Sequence, residues 1–304
     1  MAAIVVVFDF DRTLIDGDSD SWVVTEMGLS DLFHQLRSTL PWNSLMDRMM
    51  KELHFRGETA DDIAECLKKT PVHPRIAAAI KAAHAFGCDL RILSDANQFF
   101  IEKILEHHDL LGCFSKIYTN PTFVDEEGRL RIFPYHDSTL SPHGCSLCPS
   151  NLHVVDLFIL IAGYIACGVL ISGNVLDTPS FRKELKGNGI AKIHAHSSLF
   201  IMHLNLLMES VFLGQVLNNI QASAPESERQ NFIYLGDGSG DYCPTLKLGD
   251  KDYVMPRKNY PLWNCIFSDR AFVKAEVREW SNGEELEGIL LHLINRISSE
   301  RSIL

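Results

Sequence analysis

The chain has no basic stripe, no internal repeat, no long low-complexity linker and no hydrophobic run of membrane-spanning length. Each absence narrows what it can be. Its 28 Lys and Arg are outnumbered by 39 Asp and Glu, giving a formal net charge of -11. Nothing supplies the clustered cations that neutralise a nucleic-acid backbone, so no nucleic-acid partner is expected. A small phosphate ligand held by a local site is still allowed. No basic, apolar leader with a small-residue cleavage site precedes the first strand, so secretion is not expected. The uncharged run from Leu157 to Ile171 falls short of the about 18 residues that read as a membrane-spanning helix, and Asp156 bounds it. A membrane partner is therefore not expected, and the expected location is cytoplasmic. There are eight cysteines, read as free thiols of a reducing compartment rather than a disulfide framework. Cys145-x-x-Cys148 has zinc-like spacing. A structural zinc needs four ligands, however, and His143 and His136 do not form a matching second pair.

What is present is organised around Ile4-Val5-Val6-Val7-Phe8-Asp9-Phe10-Asp11-Arg12-Thr13. A continuous apolar run reads as a buried strand, and ligands of open α/β sheets sit beyond the carboxyl ends of such strands. Asp9 and Asp11, two apart, can converge on one ligand. Adjacent carboxylates repel unless a proton or a cation separates them, and Mg²⁺ is the hard cation that suits oxygen ligands. Asp-x-Asp alone fits a capped strand end equally well, so the downstream partners decide between the two.

Residues 19–85 read as mostly helical. Ser30 is a candidate N-cap, Asn43 to Leu53 carries an apolar stripe of Leu45, Met46, Met49, Met50 and Leu53, and Thr59-Ala60-Asp61-Asp62 opens a further helix. A helix from His73-Pro74 to Ala85 closes at Gly87. Cys88 to Asp95 reads as a strand delivering Ser94 and Asp95 at its carboxyl end, followed by a helix from Phe99 to Glu106. Lys116 to Asn120 is a short strand, and Phe123 to Tyr135 is a hairpin turning at Glu126-Glu127-Gly128. Asn231 to Leu235 is a buried strand ending in Gly236-Asp237-Gly238-Ser239-Gly240-Asp241. Tyr253 to Met255 is a short strand, and Gly283 to Ser298 is an amphipathic helix. Alternating strands and helices predict an α/β fold, a Rossmann-like parallel sheet with helices on both faces. Three strand ends then carry Asp9 and Asp11, Ser94 and Asp95, and Asp237 and Asp241 to one crevice.

With those residues in that order, the sequence resembles the haloacid-dehalogenase superfamily of phosphatases. The Asp-Phe-Asp-x-Thr start, the strand ending in Ser94 and the Gly-Asp-Gly-x-x-Asp run match its first, second and fourth motifs. It is closer still to the phosphoethanolamine/phosphocholine phosphatase subfamily, whose plant members are also described as pyrophosphatase-like or thiamine-phosphate-phosphatase-like. Asp16 to Asp20, Pro41-Trp42, Ser94 to Asn97, His143 to Asn151, Gly236 to Pro244 and Pro256 to Pro261 carry that closer likeness. The resemblance implies a catalytic core of residues 1–18, 86–152 and 214–304, with 19–85 as an inserted helical cap. It implies a Mg²⁺-dependent phosphatase acting on a small phosphorylated metabolite through an aspartyl-phosphate, with Asp9 as nucleophile and Asp11 as acid and base. Mg²⁺ would be held by the Asp9 side chain, the Asp11 main-chain carbonyl and Asp237. Ser94 would donate to a phosphoryl oxygen, and Asp241 would orient Asp237 or the metal's waters. Asp20 and Asp95 match positions linked to substrate choice and would suit a cationic head group; the plain alternative for Asp20 is a helix cap. Arg257 and Lys258 read as facing either the site or the surface.

The chain departs from the pattern in one place. The subfamily continues Cys-Pro-x-Asn-Met/Leu directly into Cys-Lys-Gly, the lysine being the third motif. Here Cys148-Pro149-Ser150-Asn151-Leu152 runs into His153, and the pattern resumes at Gly214 behind Phe212 and Leu213. Residues 153–213 are thus an apolar insertion that interrupts the core and displaces the lysine. This is the pattern expected of a retained intron or misjoined exon. Lys183, Lys186 and Lys192 are the insertion's candidate substitutes.

Overall fold

The computed structural model describes residues 4–135, 213–222 and 230–302. The insertion 153–213, apart from Leu213, and Cys145 and Cys148 lie outside the described residues, as do Lys183, Lys186 and Lys192.

The sheet has six strands in the order β3-β2-β1-β6-β7-β8, and every pairing within it is parallel. Strand β1 (Ile4–Phe8) is buried at all five positions. It runs between β2 (Asp89–Asn97) and β6 (Asn231–Gly236), with Phe8 level with Ile92 on one side and Leu235 on the other. Side chains alternate faces along a strand, which is why β1 feeds two cores. Ile4, Val6 and Phe8 join one apolar cluster, while Val5 and Val7 join the other.

The first cluster lies under helices α1 (Ser19–Glu26), α2 (Ser30–Leu36), α3 (Trp42–Phe55), α4 (Ala60–Leu67), α5 (Pro74–Ala85) and α6 (Gln98–His107) and the long C-terminal α10 (Gly283–Ser302). The Leu45, Met46, Met49, Met50 and Leu53 stripe of α3 is fully buried there. Helix α5 lies against α10 and β2. Against the opposite face pack α7 (residues 213–222), α8 (Tyr242–Thr245) and α9 (Pro261–Ser268). Helix α7 comes close enough that a Cβ at Gly214 would lie 2.5 Å from Cys243 Sγ. The remaining sheet strands are β3 (Phe114–Asn120), β7 (Tyr253–Pro256) and β8 (Glu276–Val277), a short edge strand with no sequence signal.

The turn chemistry mostly follows the sequence. Gly87 takes φ +79° after α5, Thr59 and Asp62 form a reciprocal capping box, and β4 (Thr122–Val124) pairs antiparallel with β5 (Leu130–Ile132). Ser30 differs: Leu29 occupies the cap position and Ser30 is already helical. Gly28 turns at φ +69°, and Leu29 N–H bonds back to the Val24 carbonyl. Leu29 is thereby buried and α2 begins directly behind α1, leaving no separate turn for Ser30 to cap.

Among the described residues, no helix is long and apolar enough to cross a membrane.

Candidate active site

Parallel pairing brings the carboxyl ends of β1, β2 and β6 side by side, and with them Asp9, Asp95 and Asp237. Asp9 extends β1, its N–H bonded to the Leu235 carbonyl at 2.9 Å. Asp9, Asp237 and Asp241 are buried, and one carboxylate oxygen of each lies within 4.8 Å of the others. Thr13 Oγ1 is 3.4 Å from both Asp9 Oδ2 and Asp237 Oδ1, bridging the two strand ends.

Asp241 fixes the loop it belongs to. Its Oδ2 accepts the N–H groups of Asp237 at 3.0 Å and Gly238 at 2.9 Å, and its Oδ1 accepts the Tyr234 hydroxyl at 2.6 Å. The fold-back demands a glycine at 236, where a Cβ would sit 2.5 Å from Asp241 Cγ.

Burial and mutual repulsion oppose ionisation throughout this group. Asp9 is raised well above the usual carboxylate range by burial, then by Asp241, Asp237, Asp95 and Asp11. Asp241 is raised by burial and then by Asp237. Asp237 rises to about 6 through burial, which hydrogen bonding with Asp9 and the nearby Arg12 partly offset. An all-oxygen donor set of this kind fits a hard divalent cation, because a cation removes the repulsion that otherwise costs stability.

Asp11 points elsewhere. Its Oδ1 accepts the Ser19 N–H at 2.8 Å and its Oδ2 the Ser19 hydroxyl at 3.2 Å, so its side chain sits at the start of α1, outside the clustered oxygens. Burial, followed by Asp18 and Asp20, raises its pKa well above the usual value, which favours the protonated form. Asp20 is not a helix cap, because Asp18 caps α1 by accepting from Ser21 N–H at 2.8 Å. Buried Asp20 instead accepts from Trp42 Nε1 at 2.6 Å and Asn97 Nδ2 at 3.3 Å. Burial first, then Asp18, pushes it up to about 8. Asp95 adds its field to Asp9, Asp20, Asp237 and Asp241, which places it within the group. Ser94 is buried, its hydroxyl accepting the Ala96 N–H at 3.3 Å with its own proton left to donate.

Arg257 is tied to the loop that follows Asp11. Its guanidinium donates to the Arg12 carbonyl and to Asp16 at 3.0 Å, and stacks over Tyr260 and Trp280. It thus braces the loop in which Arg12 adopts φ +56°. Lys258 pairs with Glu279 at the surface, 3.0 Å away. Leu213, which the sequence reading sets where the subfamily has lysine, is buried in the apolar cluster beneath β1 and β6.

Sequence reasoning missed Thr13, Asn97, Asn120 and Tyr234 as supports. Asn97 had a local signal, since Asn before an apolar helix is a cap, and it does accept from Phe100 N–H at 3.1 Å. Thr13 had the Asp-Phe-Asp-x-Thr motif, whereas Asn120 and Tyr234 had no signal, because their partners are not adjacent in sequence.

Comparison with known proteins identifies the family. The model of the family described as "Putative Phosphatase" matches residues 4–159 and 183–294. The match lapses only over 160–182, a narrower gap than the 153–213 read as an insertion from the sequence. The thiamine phosphate phosphatase-like protein of Arabidopsis thaliana is 50% identical over 301 residues, covering 99% of each chain. Inorganic pyrophosphatase 2 of the same plant is 46% identical over 297 residues, covering 97% of this chain and 85% of its own. Among solved structures, a haloacid-dehalogenase family hydrolase from Salmonella enterica serovar Typhi superposes with a TM-score of 0.52 at 14% identity, covering 96% of this chain and 71% of its own. A substrate-bound phosphoserine phosphatase gives 0.51 at 12% identity, covering 96% and 99%; at such identities the likeness shows the fold alone. The chain belongs to this Putative Phosphatase family.

Proposed function

We propose that the chain is a Mg²⁺-dependent phosphatase that hydrolyses small phosphate monoesters such as phosphoethanolamine and phosphocholine, or pyrophosphate, through an aspartyl-phosphate. The observation that carries this reading is the buried set of Asp9, Asp237 and Asp241 at the joined ends of β1 and β6. Mg²⁺ would be held by the Asp9 side chain, the Asp11 main-chain carbonyl and Asp237. When bound it would offset the charge of the phosphate and of the carboxylates around it. An Asp9 carboxylate oxygen attacks phosphorus and the ester oxygen leaves, taking a proton from Asp11. Asp11, now a carboxylate, takes a proton from the water that attacks the acyl phosphate, releasing inorganic phosphate and restoring Asp9. Ser94 donates to a phosphoryl oxygen. Asp241 orients Asp237 through the loop amides it binds, in the manner of an outer-shell carboxylate. Asp20 and Asp95 meet the head group of the substrate, at the edge where the 19–85 helical cap joins the core of residues 1–18, 86–152 and 214–304.

The test is phosphate release from phosphoethanolamine, phosphocholine and pyrophosphate by purified full-length protein with Mg²⁺, beside Asp9→Asn. Turnover above that control supports the enzyme reading, and equality with it overturns that reading.

A second reading has its own observation, the buried Leu213, which the sequence reading sets where the subfamily has lysine. It holds that this chain is an impaired isoform, which binds metal and phosphate without efficient turnover. Loss of one charge-assisted contact to the reacting phosphate is comparable with a deficit of about 10²–10³ in rate. A variant without residues 153–211, and with Cys-Lys at 212–213, should recover that factor in kcat. No gain would remove the insertion as the cause. Sequencing transcripts across codons 150–216 tests the origin of the segment, because a constitutive exon would rule out misjoining.

A further inference from the structure

Both carboxyl oxygens of Asp20 accept hydrogen bonds, and the donors come from different elements. Trp42, the first residue of α3, donates its indole N–H to Oδ2 at 2.6 Å; Asn97, at the end of β2, donates to Oδ1 at 3.3 Å. An indole N–H to a carboxyl oxygen at this distance is a short bond, and it is charge-assisted when Asp20 is ionised. The ring is also fixed from the side, standing edge-to-face on Phe33 with centroids 5.7 Å apart.

The next residue extends the same link. Asn43 Nδ2 donates to Asn120 Oδ1 at 3.2 Å. Asn120 Nδ2 in turn donates to the carbonyls of Asp95 at 2.6 Å and Ala96 at 2.8 Å. Consecutive residues of α3 thus reach both head-group positions, one through the Asp20 carboxylate and one through the Asp95 main chain. One turn further on, Asp47 Oδ1 accepts from Arg131 Nε at 2.9 Å and Ile132 N–H at 3.1 Å. Helix α3 is thereby seated on the β4–β5 hairpin.

We propose that Trp42 is a positioning residue for substrate choice: its indole N–H orients the Asp20 carboxylate toward a cationic head group. The inference rests on the reading that Asp20 meets that head group. A Trp42 that merely fills space and satisfies its own N–H would leave selectivity alone when the N–H is removed.

Binding tests this whether or not the chain turns over. The full chain carrying Asp9→Asn, with Mg²⁺, is titrated calorimetrically with phosphoethanolamine and with pyrophosphate, which has no cationic group. Trp42→Phe retains an aromatic ring without the donor, and its melting temperature reports on folding. The expected result is about a tenfold loss of phosphoethanolamine affinity relative to pyrophosphate. Trp42→Phe should have no further effect once Asp20→Asn is present, since the two then act through one contact. With Asp9 restored, a turning-over enzyme shows the loss in KM rather than kcat.

If Asp20→Asn leaves the affinity ratio unchanged, the head-group reading itself falls, and this inference with it. If Asp20→Asn changes the ratio and a folded Trp42→Phe does not, only the inference about Trp42 is overturned. Equal losses for both ligands also overturn it, by showing a structural role. Absence of binding by either ligand, both in this variant and in the chain with Asp9 restored, overturns both.

Discussion

Two groups of carboxylates meet at the mouth of the sheet, and they are held in opposite ways. Asp9, Asp237 and Asp241 are supported from within their own strand ends: Asp241 binds the amides of Asp237 and Gly238, four and three residues away. Asp11 and Asp20 are supported by the helical segment beyond, through Ser19 and Trp42, and Asp20 also by Asn97 across the sheet. The first group is a cluster of buried carboxyl groups whose oxygens suit a hard divalent cation. The second takes its geometry from helices that pack above it, so its chemistry depends on how they sit. In the proposed roles, metal binding by side chains and head-group choice therefore fall to separate groups, although both use aspartate.

The largest effect that would sharpen this division is at Asp9. Asp9→Asn should lower phosphate release by at least about 10³-fold, by removal of the nucleophile. The same change should raise the melting temperature of metal-free protein, since it deletes one of several repelling buried charges. Lost activity together with lost stability would mean that the cluster is structural. Next, Asp241→Asn should weaken Mg²⁺ binding about 10–100-fold by calorimetry, the range for an outer-shell partner. Asp20→Asn should leave Mg²⁺ binding nearly unchanged. Equal effects would erase the distinction between the groups.

A third prediction uses pH. Asp237 and Asp20 have folded values raised to about 6 and about 8 from 3.8. Protonation is therefore favoured in the folded state, and the stability it contributes is fully present below about pH 4. It is lost as pH rises through about 6 for Asp237 and about 8 for Asp20. Metal-free protein should melt lower at pH 8 than at pH 5, and Mg²⁺ should raise the melting temperature more at pH 8. A Mg²⁺ effect independent of pH would argue against cation binding at the carboxylates. The smallest effect expected is for Thr13→Val, a few-fold loss of kcat with the fold intact. Its hydroxyl lies at a long 3.4 Å from both Asp9 and Asp237.

Much of the first group was legible in the sequence, because its signals are local. The β-branched run before Asp9 reads as a buried strand, and Gly236 to Asp241 reads as a glycine-bearing loop at a strand end. Parallel order then places the two ends together. The second group was legible only in part. Asp20 followed from the subfamily pattern, but its partner Trp42 is 22 positions away and Asn97 is 77 away. No periodicity encodes such a contact. Ser30 was misread because a good capping residue is overruled when the preceding Leu is drawn into the core.

By itself, the sequence determined the alternation of strands and helices and the aspartates at three strand ends. Apolar period and glycine placement act over a few residues, so one chain suffices to show them. Only the tertiary structure decided that Asp11 faces Ser19, that Arg257 braces the loop after Asp11 and that Trp42 holds Asp20. Those outcomes depend on which elements pack together, and a side chain takes whichever remote partner burial brings within hydrogen-bonding distance.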